Sequence, residues 1–386
     1  VGGGSVLGNA GFSGAAFGEN GSTGYSPPPA SNDAGERKGE KGDAAISWND
    51  TSLRPALARR LQRRAVVSGS LVLPAVPAML DDYVTMCDRV FTGIGVSFNA
   101  EQLGQLRGVL AGQLAAAFAA SPRSEIVITY DSPVGLMVNY YVKAQWVSLE
   151  SAYDHWVATR QPPLFGTEPD ARVWAVATAA ADPASFPILD VGAGTGRNAL
   201  PLARRGHPVD AVEPAPKFAD MIRQEAERES LAVRVIQRDV FSTTNDLRRD
   251  YRLILVSEVV SDFRTTAQLR GVFTLAAECL APDGLLVLNT FVPRDGYVPD
   301  AAACELAQQC YTAIFTREEL AAATAGLPLA FESDDSVYDY EKAHLPATAW
   351  PPTNWYESWV SGQDVFDVPR EASPIELRWL VYRKTG

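Results

Sequence analysis

Asp190, Gly192, Gly194 and Gly196 alternate along the run Ile188-Leu-Asp-Val-Gly-Ala-Gly-Thr-Gly-Arg-Asn198, and it is here that residue type and spacing first offer chemistry. Glycine takes positive φ at little cost and lets bare backbone approach a ligand. The residues that follow, Arg197 to Arg205, read as a helix whose unpaired N-terminal N–H groups favour a carboxylate or phosphate. Together they describe a nucleotide-type binding turn. A second acid, Glu213, ends the apolar run Val209–Val212 and lies 23 residues after Asp190; a carboxylate so placed can accept both hydroxyls of a ribose. Two common phosphate-binding patterns are excluded. The third position of G-x-G-x-x-G/A needs a small residue so that helix packs on strand, and here it is Arg197. No Gly-Lys-Ser/Thr follows for a P-loop.

The elements that must hold these residues are short apolar runs. Phe186–Leu189, Val209–Val212, Leu231–Ile236, Arg252–Ser257 and Leu285–Asn289 read as five strands. Gln237-Arg238-Asp239-Val240 follows the third, Glu258-Val-Val-Ser-Asp262-Phe263 follows the fourth, and Pro282-Asp-Gly284 turns into the fifth. A D-x-G-x-G-x-G loop with these signals in this order resembles the class I S-adenosylmethionine (SAM)-dependent methyltransferases, over about residues 165 to 386. The alternative is a structural glycine-rich turn in some other α/β domain.

The resemblance implies an α/β fold, Rossmann-like, with a seven-stranded sheet and helices on both faces. Leu329–Val337 and Ile375–Arg383 would be the antiparallel hairpin that closes it. It further implies SAM as cofactor and S-adenosylhomocysteine (SAH) as product. Asp190, Gly192, Ala193, Gly194 and Gly196 would hold the methionine half, Glu213 the ribose, and Asp239 with Val240 the adenine; Pro214, Ser257 and Glu258 complete the expected cofactor set.

Methyl transfer from a sulfonium is an in-line displacement with a good leaving group, so the protein mainly aligns the partners and excludes water. No metal is needed, in keeping with three histidines and four cysteines without a CxxC pair. If the acceptor is a hydroxyl, a general base within hydrogen-bond reach is wanted; Glu258, Asp262 and His344 are the candidates, in that order. An acid here could equally orient an amine, and His344 also reads as a surface or packing histidine. For the acceptor wall the candidates are Tyr153, Trp156 and Arg160 upstream of the first strand, Phe263 after the fourth, and Tyr338, Trp350 and Trp355 in the aromatic- and proline-rich stretch 338–374. Aromatic faces would add cation–π attraction near a sulfonium or a cationic acceptor. Trp156 can also be plain interdomain packing, and the stretch 338–374 plain cover for the N-terminal region. The expected activity is methyl transfer to N or O of a small molecule or peptide. A non-catalytic SAM-binding module, or less readily an NAD-dependent oxidoreductase, is the alternative.

Composition divides the chain of 386 residues into three zones. Residues 1–45 hold 12 of its 30 glycines, too little apolar surface to offset ordering, and read as a flexible Gly/Ser/Pro-rich tail. The alternative is a tail that orders over the active site. Residues 46–150 read as a small, mainly helical accessory domain with one β-hairpin (Glu125–Tyr130 and Leu136–Val142), suited to substrate selection or to forming a homodimer. Its helices are Leu53–Ala65, Pro77–Ile94 and Asn99–Ala120, the last opened by an Asn99/Gln102 capping box. The arginines of the first suit a solvated face, or alternatively a membrane surface or acidic partner. Residues 151–386 form the SAM-binding domain with its insertion at 338–374, and Ala301–Ala325 reads as one helix. The net charge of −12 argues against a nucleic-acid partner. No apolar run is long enough to span a membrane and no signal peptide is evident; a reduced, cytoplasmic protein without disulfides is expected. The missing initiator Met suggests a fragment or a processed product.

Overall fold

The computed structural model describes residues 6–11, 50–62, 66–132, 137–146, 157–160 and 163–386. The chain forms two units, residues 1–120 with 124–146, and residues 121–123 with 147–386. The expected roles of Tyr153 and Trp156, and most of the glycine-rich opening segment, lie outside the described residues.

The first unit runs β1 (Val6–Gly11), α1 (Asp50–Gln62), β2 (Val67–Pro74), α2 (Leu80–Gly93), α3 (Ala100–Ala120), β3 (Glu125–Ser132) and β4 (Met137–Gln145). Its four strands form an antiparallel sheet in the order β1-β4-β3-β2. The capping box expected at α3 is present: Asn99 N donates to Gln102 Oε1 and Gln102 N to Asn99 Oδ1, both at 2.9 Å. Leu106, Leu110, Leu114 and Ala117 recur at helical spacing on one face of α3 and are buried with Ile126, Ile128, Val138, Tyr140 and Val142.

Two strands join the expected hairpin. β2 was obscured because Ser68, Gly69 and Ser70 dilute its β signal. It pairs along all of β3, from Val67 opposite Ser132 to Pro74 opposite Glu125. Gly69 belongs there because a Cβ would lie 2.4 Å from the Tyr130 hydroxyl. Within the segment expected to be a tail, Val6–Gly11 pairs with β4 as β1; backbone pairing asks little of side chains.

The second unit continues with α4 (Ala171–Thr178), β5 (Ile188–Val191), α5 (Ala199–Arg204), β6 (Val209–Val212), α6 (Pro216–Glu229), β7 (Val233–Ile236), β8 (Tyr251–Val256), α7 (Thr266–Cys279), β9 (Leu280–Pro293), α8 (Ala301–Ala307), α9 (Arg317–Thr324), β10 (Leu329–Ser336), α10 (Val337–His344), α11 (Tyr356–Val360), α12 (Gln363–Phe366) and β11 (Ile375–Lys384). Its seven strands lie in the order β10-β11-β9-β8-β5-β6-β7. The five strands from β7 to β9 run parallel, and β11 is antiparallel to both β9 and β10.

Successive residues of a strand point to opposite faces, and each face of this sheet has its own core. Ile188, Leu253 and Leu255 pack into one with Leu200 and Trp379. Leu189, Val191, Ile254 and Val256 pack into the other with Leu269 and Phe273 of α7. β5 and β6 are buried throughout, as central parallel strands covered on both faces must be. Strand order reverses at β5, between β6 on one side and β8 on the other, and ligands of such sheets gather at that switch point.

One expectation about the C-terminal third changes. Ala301–Ala325 is not one helix. Tyr311 takes a left-handed conformation, φ 52°, and the chain then runs beside β9, with Phe315 N donating to the Phe291 carbonyl at 3.0 Å. Thr316 and Glu319 start α9 afresh with a capping box of their own. The stretch 338–374 contains most of α10 together with α11 and α12, and its Tyr356, Trp359 and Val360 belong to the sheet's core.

Candidate active site

Strand ends build the site. Glycines 192, 194 and 196 all take positive φ, at 70°, 55° and 87°, so the chain leaves β5 in a turn that other residues resist. A Cβ at Gly192 would meet Val259 Cγ2 at 2.3 Å, and one at Gly196 would meet Leu200 Cδ1 at 2.8 Å. A Cβ at Gly194 would first meet the Phe165 ring, at 3.5 Å. The turn bounds a cavity of about 240 Å³. Asp190, Gly192, Ala193, Gly194, Glu213, Pro214, Asp239, Val240, Ser257 and Glu258, expected from the sequence to share a ligand, all line it. Gly196 does not; it packs behind the loop against Leu200 and Ile222. Phe263, expected at the acceptor, lines this first cavity and pairs with Phe241 at 5.8 Å between ring centres.

The loop is held by its own carboxylates. Glu213 accepts from Gly194 N at 2.8 Å and from Ala215 N at 2.7 Å; burial nevertheless pushes its carboxyl up from the usual range. Asp239 caps the turn 240–242 by accepting from Phe241 N at 2.9 Å. Asp190 is fully buried, and burial, with Asp170 adding to it, pushes its carboxyl up to about 8. Its Oδ2 has no hydrogen-bond partner among the described residues.

Arg197, the residue that spoiled the dinucleotide pattern, centres a buried ion-pair network. Its Nη1 lies 2.5 Å from Asp170 Oδ1 and its Nη2 2.5 Å from Glu258 Oε1. Burial works against the guanidinium charge, but the two carboxylates hold it well above the ordinary range. Asp170 also accepts from Ser257 Oγ at 2.7 Å and Asn198 Nδ2 at 2.8 Å. Glu258 itself sits at φ 59°, an uncommon place for a side-chain-bearing residue and one that clusters at functional sites. Asn289 of β9 fixes that conformation by accepting from Glu258 N at 2.7 Å. Burial pushes the Glu258 carboxyl up to about 7 although Arg197 pulls it down. Sequence reasoning passed over Arg197, Asp170 and Asn289. Arg197 as the exception in a glycine fingerprint was a usable signal; for the other two only the fold supplies one.

A second cavity of about 370 Å³ adjoins the first and shares Phe165, Glu258 and Asp262 with it. Its remaining wall comes from Arg160, Ser261, Cys310, Tyr311, Trp355, Trp359 and Asp364. Arg160, Asp262 and Trp355 were expected near the acceptor, and they line this cavity with Glu258. Tyr311, Trp359 and Asp364 were not singled out, because the left-handed turn at Tyr311 that brings them together has no signature in periodicity.

The other candidates lie elsewhere. Tyr338 donates its hydroxyl to Glu357 at 2.5 Å and carries Arg370 over its ring. Trp350 packs edge-on against Tyr338 and Tyr356. His344, at the end of α10, is exposed and stacks on Tyr340 at 4.2 Å. None of the three lines either cavity. Among the described residues no cluster of His, Cys, Asp or Glu could hold a metal, all four cysteines are free, and no helix is long and apolar enough to cross a membrane.

The sheet order and the glycine turn at its switch point make the Rossmann-like fold that the sequence resemblance implies. Residues 188–284 match the family model described as a methyltransferase domain. No curated protein matches the sequence. Solved structures do. A protein assigned as a sarcosine dimethylglycine methyltransferase from Galdieria sulphuraria is 16% identical, over 61% of this chain and 98% of that one, with a TM-score of 0.44. Geranyl diphosphate C-methyltransferase from Streptomyces coelicolor A3(2) is 13% identical, over 62% and 99%, at 0.46; that structure holds S-adenosylhomocysteine. The [4+2]-cyclase SpnF is 17% identical, over 56% and 80%, at 0.40. These likenesses concern the fold alone.

The resemblance to methyltransferases implies SAM as cofactor, and the residues present fit it. The unpartnered Oδ2 of buried Asp190 suits the cationic amino group of a bound amino acid. Glu213 suits a ribose, and the Phe241–Phe263 pair a flat base.

Proposed function

We propose that this chain transfers the methyl group of SAM to nitrogen or oxygen of a small molecule or peptide seated in the second cavity. The observation that carries the reading is Glu258, one half-buried carboxylate on a strained backbone, shared by both cavities. The cofactor supplies an activated methyl carbon on a sulfonium. The glycine turn and Glu213 orient it, and Phe165, common to both cavities, helps to keep water from the junction. Glu258 receives the proton that the acceptor gives up, and Arg197 with Asn289 hold its carboxylate and backbone in place. A carboxyl raised to about 7 is still mostly ionised above that pH and is a stronger base than an ordinary glutamate.

Incubation with methyl-labelled SAM and a small-molecule extract tests the reading. Label moving to an acceptor is expected from the parent, with at least a hundredfold loss in Glu258→Gln. SAH binding without any transfer would leave a non-catalytic binding module. Thermal stabilisation by NAD and none by SAH would make the chain an oxidoreductase.

A further inference from the structure

We infer that the second cavity selects an amine carried on a flat apolar body, its nitrogen directed to the Glu258 carboxylate; this rests on the methyl-transfer reading above. The walls divide by chemistry. Tyr311, Trp355 and Trp359 give aromatic surface, while Glu258, Asp262 and Asp364 give carboxylate oxygens, the first two held by Arg197 and Arg123. The aromatic part is preformed. Trp359 donates its Nε1 proton to the Tyr311 carbonyl at 3.1 Å and is wedged edge-on by Trp355 at 5.7 Å and Phe291 at 5.3 Å. A rigid wall loses little freedom when a flat ligand settles on it.

The unit already holds a cation of its own in this manner. Arg123, whose residues 121–123 belong to the second unit, lays its guanidinium 3.5 Å from the Tyr311 ring centre and brings Nη2 to 3.2 Å from Asp262 Oδ1. An aromatic face with a carboxylate beside it is therefore a cation site here, and Trp355 with Asp364 repeats that pairing of types on the same cavity. An anionic acceptor would face the Asp364 carboxylate and the oxygens of Glu258 and Asp262.

The chemistry balances without a further reactant. The amine arrives as an ammonium and gives one proton to the Glu258 carboxylate. Its freed lone pair forms the N–C bond while the methyl C–S bond breaks, and sulfur keeps that electron pair as a neutral thioether. The product leaves as the methylated ammonium, and Glu258 returns its proton to water.

The test uses three molecules of one shape. The SAH-loaded protein is titrated calorimetrically at pH 7.5 with 2-phenylethylamine, 2-phenylethanol and phenylacetate. The amine is expected to bind at least tenfold more tightly than either, the size of effect that cation–π contact brings at a partly desolvated site. Trp355→Ala and Asp364→Asn should each weaken the amine at least threefold and leave the SAH dissociation constant as in the parent. With SAM in place of SAH, mass spectrometry should find N-methyl-2-phenylethylamine. Equal or tighter binding of the alcohol or the acid, or no binding of the amine, overturns the inference while SAH still binds. Failure to bind SAH at all overturns the methyl-transfer reading instead.

Discussion

Asp190 and Glu258 stand a strand apart in the sheet, and both are carboxylates that burial holds near neutrality. For Asp190 the sign is unfavourable to the folded chain as pH rises. Its folded carboxyl titrates at about 8 against about 3.9 in an unfolded chain, so between those values the folded state holds a proton the unfolded state lacks. Stability from this group is present in acid and lost as pH climbs to about 8. Asp190→Asn removes that dependence. In the ligand-free protein it should raise the melting temperature at pH 8 and change it little at pH 5. The difference should be of the order of a few kcal/mol, at about 1.4 kcal/mol per pH unit. Thermal melts at the two pH values check this, and a variant less stable than the parent at pH 8 would refute the buried-acid account. Glu258 works in the opposite direction for catalysis. On the proposed reading, in which ionised Glu258 takes the acceptor's proton, kcat should rise with pH through about 7, and this limb should be absent in Glu258→Gln. Glu213→Ala should weaken cofactor binding by about 1–3 kcal/mol, the loss of charged hydrogen bonds, as read by calorimetry with SAH.

At the scale of elements, the loop between β5 and α5 is tighter than a binding role alone requires. Gly192 has no room for a methyl beside Val259. Gly192→Ala should therefore destabilise the folded protein by about 1–3 kcal/mol through overpacking and a strained φ, seen as a lower denaturation midpoint even without cofactor. At Gly194 the space opens toward Phe165 but φ is again positive, at 55°, so Gly194→Val should abolish SAH binding and also lower stability, since a β-branched residue resists that backbone. The strands around this loop were legible because central parallel strands are unbroken apolar runs, and the acids at their ends mark where each strand stops. What stayed hidden was formed by contacts distant in sequence. β2 is a strand because β3 pairs with it, and Tyr311 turns left-handed where the chain doubles back along β9. His344, a candidate base that also read as a surface histidine, sits at the exposed end of α10, where its ring stacks on Tyr340 and meets neither cavity.

For the molecule as a whole, two units with separate cores imply that a ligand should act unevenly. Phe91, Leu106, Leu110 and Ile128 form a core in the first unit that shares no residue with either core of the second, and every residue around the first cavity belongs to the second unit. Saturating SAH should slow hydrogen exchange in β5, β6 and β8, by about 3 kcal/mol at a hundredfold excess over its dissociation constant, while amides of α3 and β3 change far less. Uniform protection across both units would contradict that expectation.

The ion-pair network around Arg197 has an outcome for turnover. Asp170, Asp190 and Glu258 share a single guanidinium, and Glu213 adds a further acid to the cavity, so the pocket's unbalanced charge is negative whenever its acids are ionised. A fresh donor enters with positive sulfur and gains from that surplus; the spent thioether has lost it. Donor should therefore outcompete spent donor more strongly as pH rises, and methylation should continue at product levels that would stall a neutral pocket.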